Sequence, residues 1–116
     1  MMNHTEINDL LTAYEVDVRF PDVSGMEHLD MLLMRSELAN AERSHALTAE
    51  QARRLAEADR ILASQAGRFH QAIRRIADLA AWRQQEDAPP QEWWWYLDVL
   101  AQAPVVSQAE MSAVAA

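Results

Sequence analysis

The chain has 116 residues, no cysteine, and apolar residues at half of its positions. This length fits one domain with a modest core, and the missing cysteines exclude disulfides and thiolate metal sites. The formal net charge of −8 opposes attraction to nucleic acid or anionic membranes and favours basic protein surfaces. Glycine (2) and proline (4) are sparse, so the composition predicts helices rather than strands.

The charge is unevenly distributed along the chain. Residues 1–48 carry nine acids and three arginines, residues 49–86 carry five acids and seven arginines, and residues 87–116 carry four acids and no arginine. The start of the chain has neither a basic leader nor a long apolar run. No stretch approaches the roughly 18 apolar residues of a membrane span. We therefore expect a cytoplasmic protein without membrane contact.

Two helices are predicted in the first part of the chain. Thr5 is expected to cap a short helix that ends before Pro21, because the residue before a proline is disfavoured in the α conformation. A second helix is predicted from about Ser24 to Ser44, after the turn Pro21–Gly25.

The second helix has two apolar faces instead of one. One face carries Leu29 and Leu32, and nearly the opposite face carries the candidate contact residues Met31, Met34 and Leu38. A helix that rests on a solvated surface needs only one apolar stripe, so both faces should be covered. The second cover is either the first helix or another molecule, including a twofold-related copy of the chain.

A central helix is predicted from Thr48 to about Glu86. Its apolar residues recur at heptad spacing, as in a coiled coil, at Leu55, Leu62, Phe69 and Ile76. Thr48 and Gln51 form a capping-box sequence at its start. Gly67 marks a kink or a close approach, so the central helix is either one helix or two.

Charged residues occupy the other faces of the central helix. Four arginines follow a stripe opposite the apolar one, and they are possible nucleic-acid contacts or, as we favour, a solvated face: Arg53, Arg60, Arg68 and Arg75. Asp59 lies at the edge of the apolar stripe, where we expect it to pair with Arg60 or with a residue of the second helix.

The C-terminal region is rich in tryptophan. The stretch Gln84–Pro90 should end the central helix, and a further helix is predicted from Pro90 to about Ala103, ended by Pro104. Residues 105–116 are predicted to be a frayed or disordered tail.

Consecutive tryptophans cannot all point into one core, whether the segment is a helix or a strand. The predicted partner-contact residues are therefore the aromatic ones of this region: Trp82, Trp93, Trp94, Trp95 and Tyr96. The alternative is an aromatic core that closes on Trp82, with the indole N–H groups bonded to backbone. The two interpretations are compatible, because one ring can anchor the segment while another contacts a partner.

Motifs of catalysis are missing from the sequence. It has no Gly-rich phosphate loop, no Gly-x-Ser-x-Gly elbow and no His-Glu-x-x-His. Glu42 and His45 have the Glu-x-x-His spacing of carboxylate-bridged metal bundles, but no second copy of that motif occurs. We therefore predict no enzyme activity, no cofactor and no metal.

The sequence predicts an all-α fold with a single helical domain over residues 1–104. A long antiparallel hairpin would carry the short N-terminal helix and the Trp-rich C-terminal helix. The leading functional hypothesis is a small acidic protein-binding module with a regulatory role, such as an antitoxin or an inhibitor that masks a basic partner surface. The alternatives are a homo-oligomeric bundle and weak nucleic-acid contact through the arginine stripe.

Overall fold

The computed structural model describes residues 3–102, and every regular element in that range is helical. The elements are α1 (His4–Asp17), α2 (Gly25–Arg43), α3 (Ala49–Ser64), α4 (Ala66–Arg74), α5 (Leu79–Gln85), a 3₁₀ helix (Trp93–Tyr96) and α6 (Leu97–Gln102). The predicted all-α class is confirmed. The predicted tail at 105–116 lies outside the described residues. Within residues 3–102, no helix combines the length and apolar character needed to cross a membrane.

Side-chain caps set the starts of the first three helices. Thr48 and Gln51 exchange hydrogen bonds at 3.0 and 2.9 Å, which confirms the predicted capping box. Ser24 caps α2 at the predicted boundary. Helix α1 ends before Pro21 as predicted, but the predicted cap Thr5 was wrong, because Asn3 is the cap and accepts from the Glu6 N–H at 2.8 Å. Asparagine is the stronger N-cap, so the helix starts earlier than Thr5 would allow.

The predicted central helix is three helices in the structure. Its first break is at Gln65, whose φ of −112° and ψ of 17° are not helical. The second spans residues 75–78, after which Asp78 caps α5 by accepting from the Ala80 and Ala81 N–H groups. Helix α3 packs against α1, whereas α4 packs against α2 and α6. One long antiparallel hairpin is therefore not confirmed, because successive parts of the apolar stripe face different neighbours.

The same breaks explain an error in the predicted core. Leu55, Leu62 and Phe69 are buried as expected, but Ile76 is 51% exposed. Helix α4 ends at Arg74, so the heptad spacing no longer places residue 76 on the buried side.

Both apolar faces of α2 are buried within the molecule. Leu29 and Leu32 are covered on one side, and Met31 and Leu38 on the other. Helix α2 packs against α1, α4 and the 3₁₀ helix. The expectation that both faces are covered is confirmed, and the cover comes from this chain.

Helix α2 approaches α4 most closely at its first residue. A Cβ added to Gly25 would lie 2.5 Å from the Ala72 carbonyl oxygen, so only glycine fits. One turn later, the buried His28 ring contacts Phe69 edge to face at 4.5 Å. His28 Nε2 lies 2.9 Å from the Pro21 carbonyl oxygen, which only accepts, so this nitrogen carries the proton.

The two glycines of the chain should respond oppositely to alanine. Gly25→Ala is expected to lower the free energy of unfolding by about 1–3 kcal/mol, because the new methyl group meets backbone atoms that cannot move aside. Gly67→Ala is the matched control, since its Cβ would only reach Ala101 Cβ at 4.0 Å. This change should stabilise the protein by up to about 1 kcal/mol, because alanine favours helix. Urea unfolding monitored by circular dichroism measures both, and equal effects would contradict this account of Gly25.

Candidate partner-binding cleft

The aromatic segment Trp93–Tyr96 is attached to α2 through one serine. Trp94 and Trp95 are buried, and their Nε1–H groups donate to the same Ser36 Oγ at 3.0 and 2.9 Å. A hydroxyl oxygen has two acceptor positions, so Ser36 satisfies both indoles. The aromatic segment forms a 3₁₀ helix instead of the start of the predicted helix from Pro90. The aromatic-core interpretation is supported for these two rings, with a side chain instead of backbone as the acceptor.

A buried ion pair lies beside this attachment point. Arg35, only 4% exposed, donates from Nε and Nη2 to the two carboxylate oxygens of Asp59 at 2.8 and 2.9 Å. The Tyr14 hydroxyl donates to Asp59 Oδ1 at 2.6 Å. The prediction that Asp59 pairs with a residue of the second helix is confirmed. These contacts join α1, α2 and α3.

The protonation states in this network follow from its contacts. Burial raises the pKa of Tyr14 far above its ordinary value, and the Asp59 carboxylate raises it further, so the hydroxyl remains a donor. Burial alone would lower the pKa of Arg35, but its bonds to Asp59 outweigh that effect and the pKa is raised. Arg35 is therefore a permanent buried cation, and its third nitrogen Nη1 lies 3.1 Å from Glu42 Oε1 without an aligned hydrogen bond.

Two rings of the aromatic segment already hold a guanidinium group of this chain. The Arg35 Cζ lies 4.1 Å from the centre of the Trp94 ring, and the Arg83 Cζ lies 4.4 Å from that of Tyr96. Arg83 also pairs with Asp98 at 2.7 Å. In both cases the guanidinium lies against an aromatic ring and also pairs with a carboxylate.

A cleft of about 490 Å³ lies beside the contact between the second half of α2 and the aromatic segment. Its walls come from α2, from the loop before the aromatic segment and from two tryptophans: Arg35, Ala39, Glu42, Arg43, Pro89, Gln91, Glu92, Trp93 and Trp94. Trp93 is half-buried and meets Trp94 edge to face at 5.9 Å. The cleft therefore offers an accessible indole beside two glutamates.

Four charged side chains line the cleft, two arginines and two glutamates. Asp59 neutralises Arg35, while the Glu42 side chain remains 46% exposed and Glu92 is half-buried. Arg43, the remaining cation of the cleft, is hydrogen-bonded to Asn40 on its own helix. Asn40 is uncharged, so Arg43 keeps its charge and offsets one of the two glutamates, which leaves an excess of one carboxylate beside the Trp93 ring.

No protein-family model, curated protein or solved structure gives a significant match to this chain.

The predicted partner-contact residues divide into two groups. Trp94, Trp95, Met31 and Leu38 are buried, so they cannot touch a partner while the fold is intact. The other predicted residues are half-buried: Trp82, Trp93, Tyr96 and Met34. Of these, only Trp93 lines the cleft, and the Tyr96 hydroxyl donates to the Ala88 carbonyl oxygen at 3.0 Å. The accessible part of the predicted surface therefore centres on Trp93.

The arginine stripe is engaged mainly by nearby acids. Arg53 and Arg60 pair with Glu50 and Glu57, each three residues earlier on the same helix. Arg68 pairs with Asp22. Arg75 and Arg68 line a second cavity of about 220 Å³ at the loop before α2. These pairs agree with a solvated charged face.

The Glu-x-x-His spacing at Glu42 and His45 does not produce a metal site. Helix α2 ends at Arg43, and His45 has a φ of 56° in the left-handed region beyond the helix end. The Ala46 N–H bonds the Ala41 carbonyl oxygen at 2.9 Å, which is a Schellman cap. Residues 42 and 45 therefore do not share a helix face, and among residues 3–102 no cluster of ligating side chains could hold a metal ion.

The sequence indicated Ser36, which anchors the aromatic segment, but it did not indicate Arg35. Ser36 continues an apolar face of α2, and a small polar residue at that place is a sign of a buried acceptor. Arg35 lies between the two apolar faces, and only the tertiary contact with Asp59 identifies it.

Proposed function

We propose that this protein is a small regulatory module that binds another protein through the cleft at Trp93. The partner presents a basic surface, and binding masks it, as antitoxins and inhibitory proteins do. The observation that supports this proposal is the accessible Trp93 indole in a cleft with two glutamates and two arginines, one of which is paired with Asp59. The proposal assigns the protein a binding role without catalysis, and the cytoplasm stays its expected location.

Residue chemistry supports a protein as the ligand. Tryptophan and arginine dominate the energetics of protein interfaces, and an aromatic ring beside acids complements a basic side chain. The net charge of −8 would speed association with a basic partner at low ionic strength.

Affinity capture from the source cells tests the proposal. Immobilised wild-type protein is expected to retain a basic protein that Trp93→Ala releases, because the ring is the main apolar anchor of the cleft. The retained protein should elute as salt is raised, since the attraction is partly electrostatic. Val99→Ser is the matched control, because Val99 is an exposed apolar residue that does not line the cleft. Retention of the same proteins by wild type and Trp93→Ala would contradict the proposal.

Self-assembly is the second candidate function. Four apolar side chains around the connection between α1 and α2 are exposed: Val16, Phe20, Val23 and Met26. Such a surface suits a twofold contact between copies of the chain, although Met31 and Leu38 cannot contribute to it. Solution mass by light scattering distinguishes the two candidates.

A further inference from the structure

We propose that Trp93, with Glu42 and Glu92, binds the guanidinium group of an arginine side chain on the partner. This inference rests on the proposed function and names the group that the cleft recognises.

The structure contains two internal precedents for this recognition. Trp94 holds Arg35 beside Asp59 and Glu42, and Tyr96 holds Arg83 beside Asp98. Each site combines an aromatic face with a carboxylate. The aromatic segment therefore binds guanidinium groups at two of its four rings.

Trp93 lies in a cleft that holds carboxylates and two guanidinium groups, that of Arg35, which pairs with Asp59 and Glu42, and that of Arg43. Glu42 and Glu92 line the cleft with it, and within residues 3–102 no guanidinium lies over its ring. Trp95 differs, because it is buried and its indole is bonded to Ser36. Trp93 is thus the accessible ring of the segment that has acids beside it and an open volume in front of it.

Geometry favours arginine over lysine. The planar guanidinium can stack on the indole while its several donors reach both carboxylates, whereas an ammonium group is compact and more strongly hydrated. A cleft of about 490 Å³ accommodates a side chain together with its adjoining backbone.

A peptide titration tests this inference on the full chain. The probe is acetyl-Gly-Arg-Gly-amide, and two matched peptides replace arginine with lysine or with citrulline, which has nearly the same shape and no charge. Nuclear magnetic resonance follows the Trp93 indole signal and the backbone amides of residues 91–94. We expect the arginine peptide to shift these signals most, the lysine peptide to bind more weakly, and the citrulline peptide to leave them in place.

Variants of the protein separate ring, charge and packing. Trp93→Leu should weaken arginine-peptide binding about fivefold, because it keeps apolar bulk but removes the aromatic face, whereas Trp93→Phe should retain most of the affinity. Glu92→Gln should also weaken binding, and the control Glu57→Gln should leave it unchanged, because Glu57 lies on α3 and is absent from the cleft. Thermal unfolding of each variant checks that the fold persists.

The outcomes separate this inference from the proposed function. Equal binding of arginine and citrulline peptides, no binding of either, or unchanged affinity in Trp93→Leu overturns the guanidinium site. If the capture experiment still depends on Trp93, protein binding stands with a different recognised group. If the arginine peptide binds as expected but no basic protein is captured, the guanidinium site stands and the masking function fails.

Discussion

Replacement of Asp59 by alanine is expected to lower the free energy of unfolding by about 3–5 kcal/mol. The change removes the carboxylate that accepts two bonds from Arg35 and one from Tyr14. Arg35 is 4% exposed, so its charge would stay buried without its main counter-ion. Tyr14 would also lose its acceptor inside the core. Equilibrium unfolding in urea measures the loss.

Two controls test whether the charge network is the cause. Glu57→Ala removes a carboxylate from the same helix, but Glu57 pairs with Arg60 on the surface and its loss should leave the urea midpoint nearly unchanged. The double change Arg35→Met with Asp59→Leu should recover part of the stability, since no buried charge is left without a partner and Glu42, which also loses Arg35, is 46% exposed. If Asp59→Ala is as harmless as Glu57→Ala, the buried ion pair does not stabilise the fold.

Replacement of Ser36 by alanine should cost about 2–4 kcal/mol, because two buried indole N–H groups lose one shared acceptor. Each buried donor left without a partner costs about 1–3 kcal/mol. The effect is large for the removal of a single oxygen atom. Tryptophan fluorescence during urea unfolding reports it directly, since Trp94 and Trp95 are the affected rings.

Matched variants isolate the contribution of the shared acceptor. Ser64→Ala removes an exposed hydroxyl that bonds the Ile61 carbonyl oxygen at 2.7 Å, and it should leave stability nearly unchanged. In a Trp95→Phe background, Ser36→Ala should cost less, because only the Trp94 donor then lacks an acceptor. An equal cost in both backgrounds would show that the serine does not serve both indoles.

The local signals of the sequence predicted helix boundaries well where a strong cap was present. Ser24 and the Thr48–Gln51 box set the starts of α2 and α3 as expected. Asp78 carried an equally clear signal for the start of α5, but the regular heptad spacing around it suggested an uninterrupted helix. Gly67 was the predicted position of a kink, but the helix breaks at Gln65, where α3 and α4 turn toward different neighbours. That change of direction depends on tertiary packing, which the spacing of apolar residues does not predict.

The sequence predicted only part of the candidate site, because the rest depends on tertiary contacts. Three adjacent tryptophans indicated that at least one ring would face away from the core, and Trp93 does so in part. The sequence could not show which ring it would be, because that depends on the contact of Trp94 and Trp95 with Ser36, 58 and 59 residues away. Arg35 gave no pattern and Glu42 appeared only in a Glu-x-x-His spacing, because their place in the cleft depends on tertiary contacts.

The large sequence separation between Ser36 and the two indoles also bears on how the chain folds during synthesis. A nascent chain that extends only to α5 can form its local helices, but the side of α2 that carries Arg35 and Ser36 still lacks its aromatic cover. Contacts between distant positions form late, because closing a long loop costs entropy before the contact stabilises it. The two indole bonds should therefore be among the last to form.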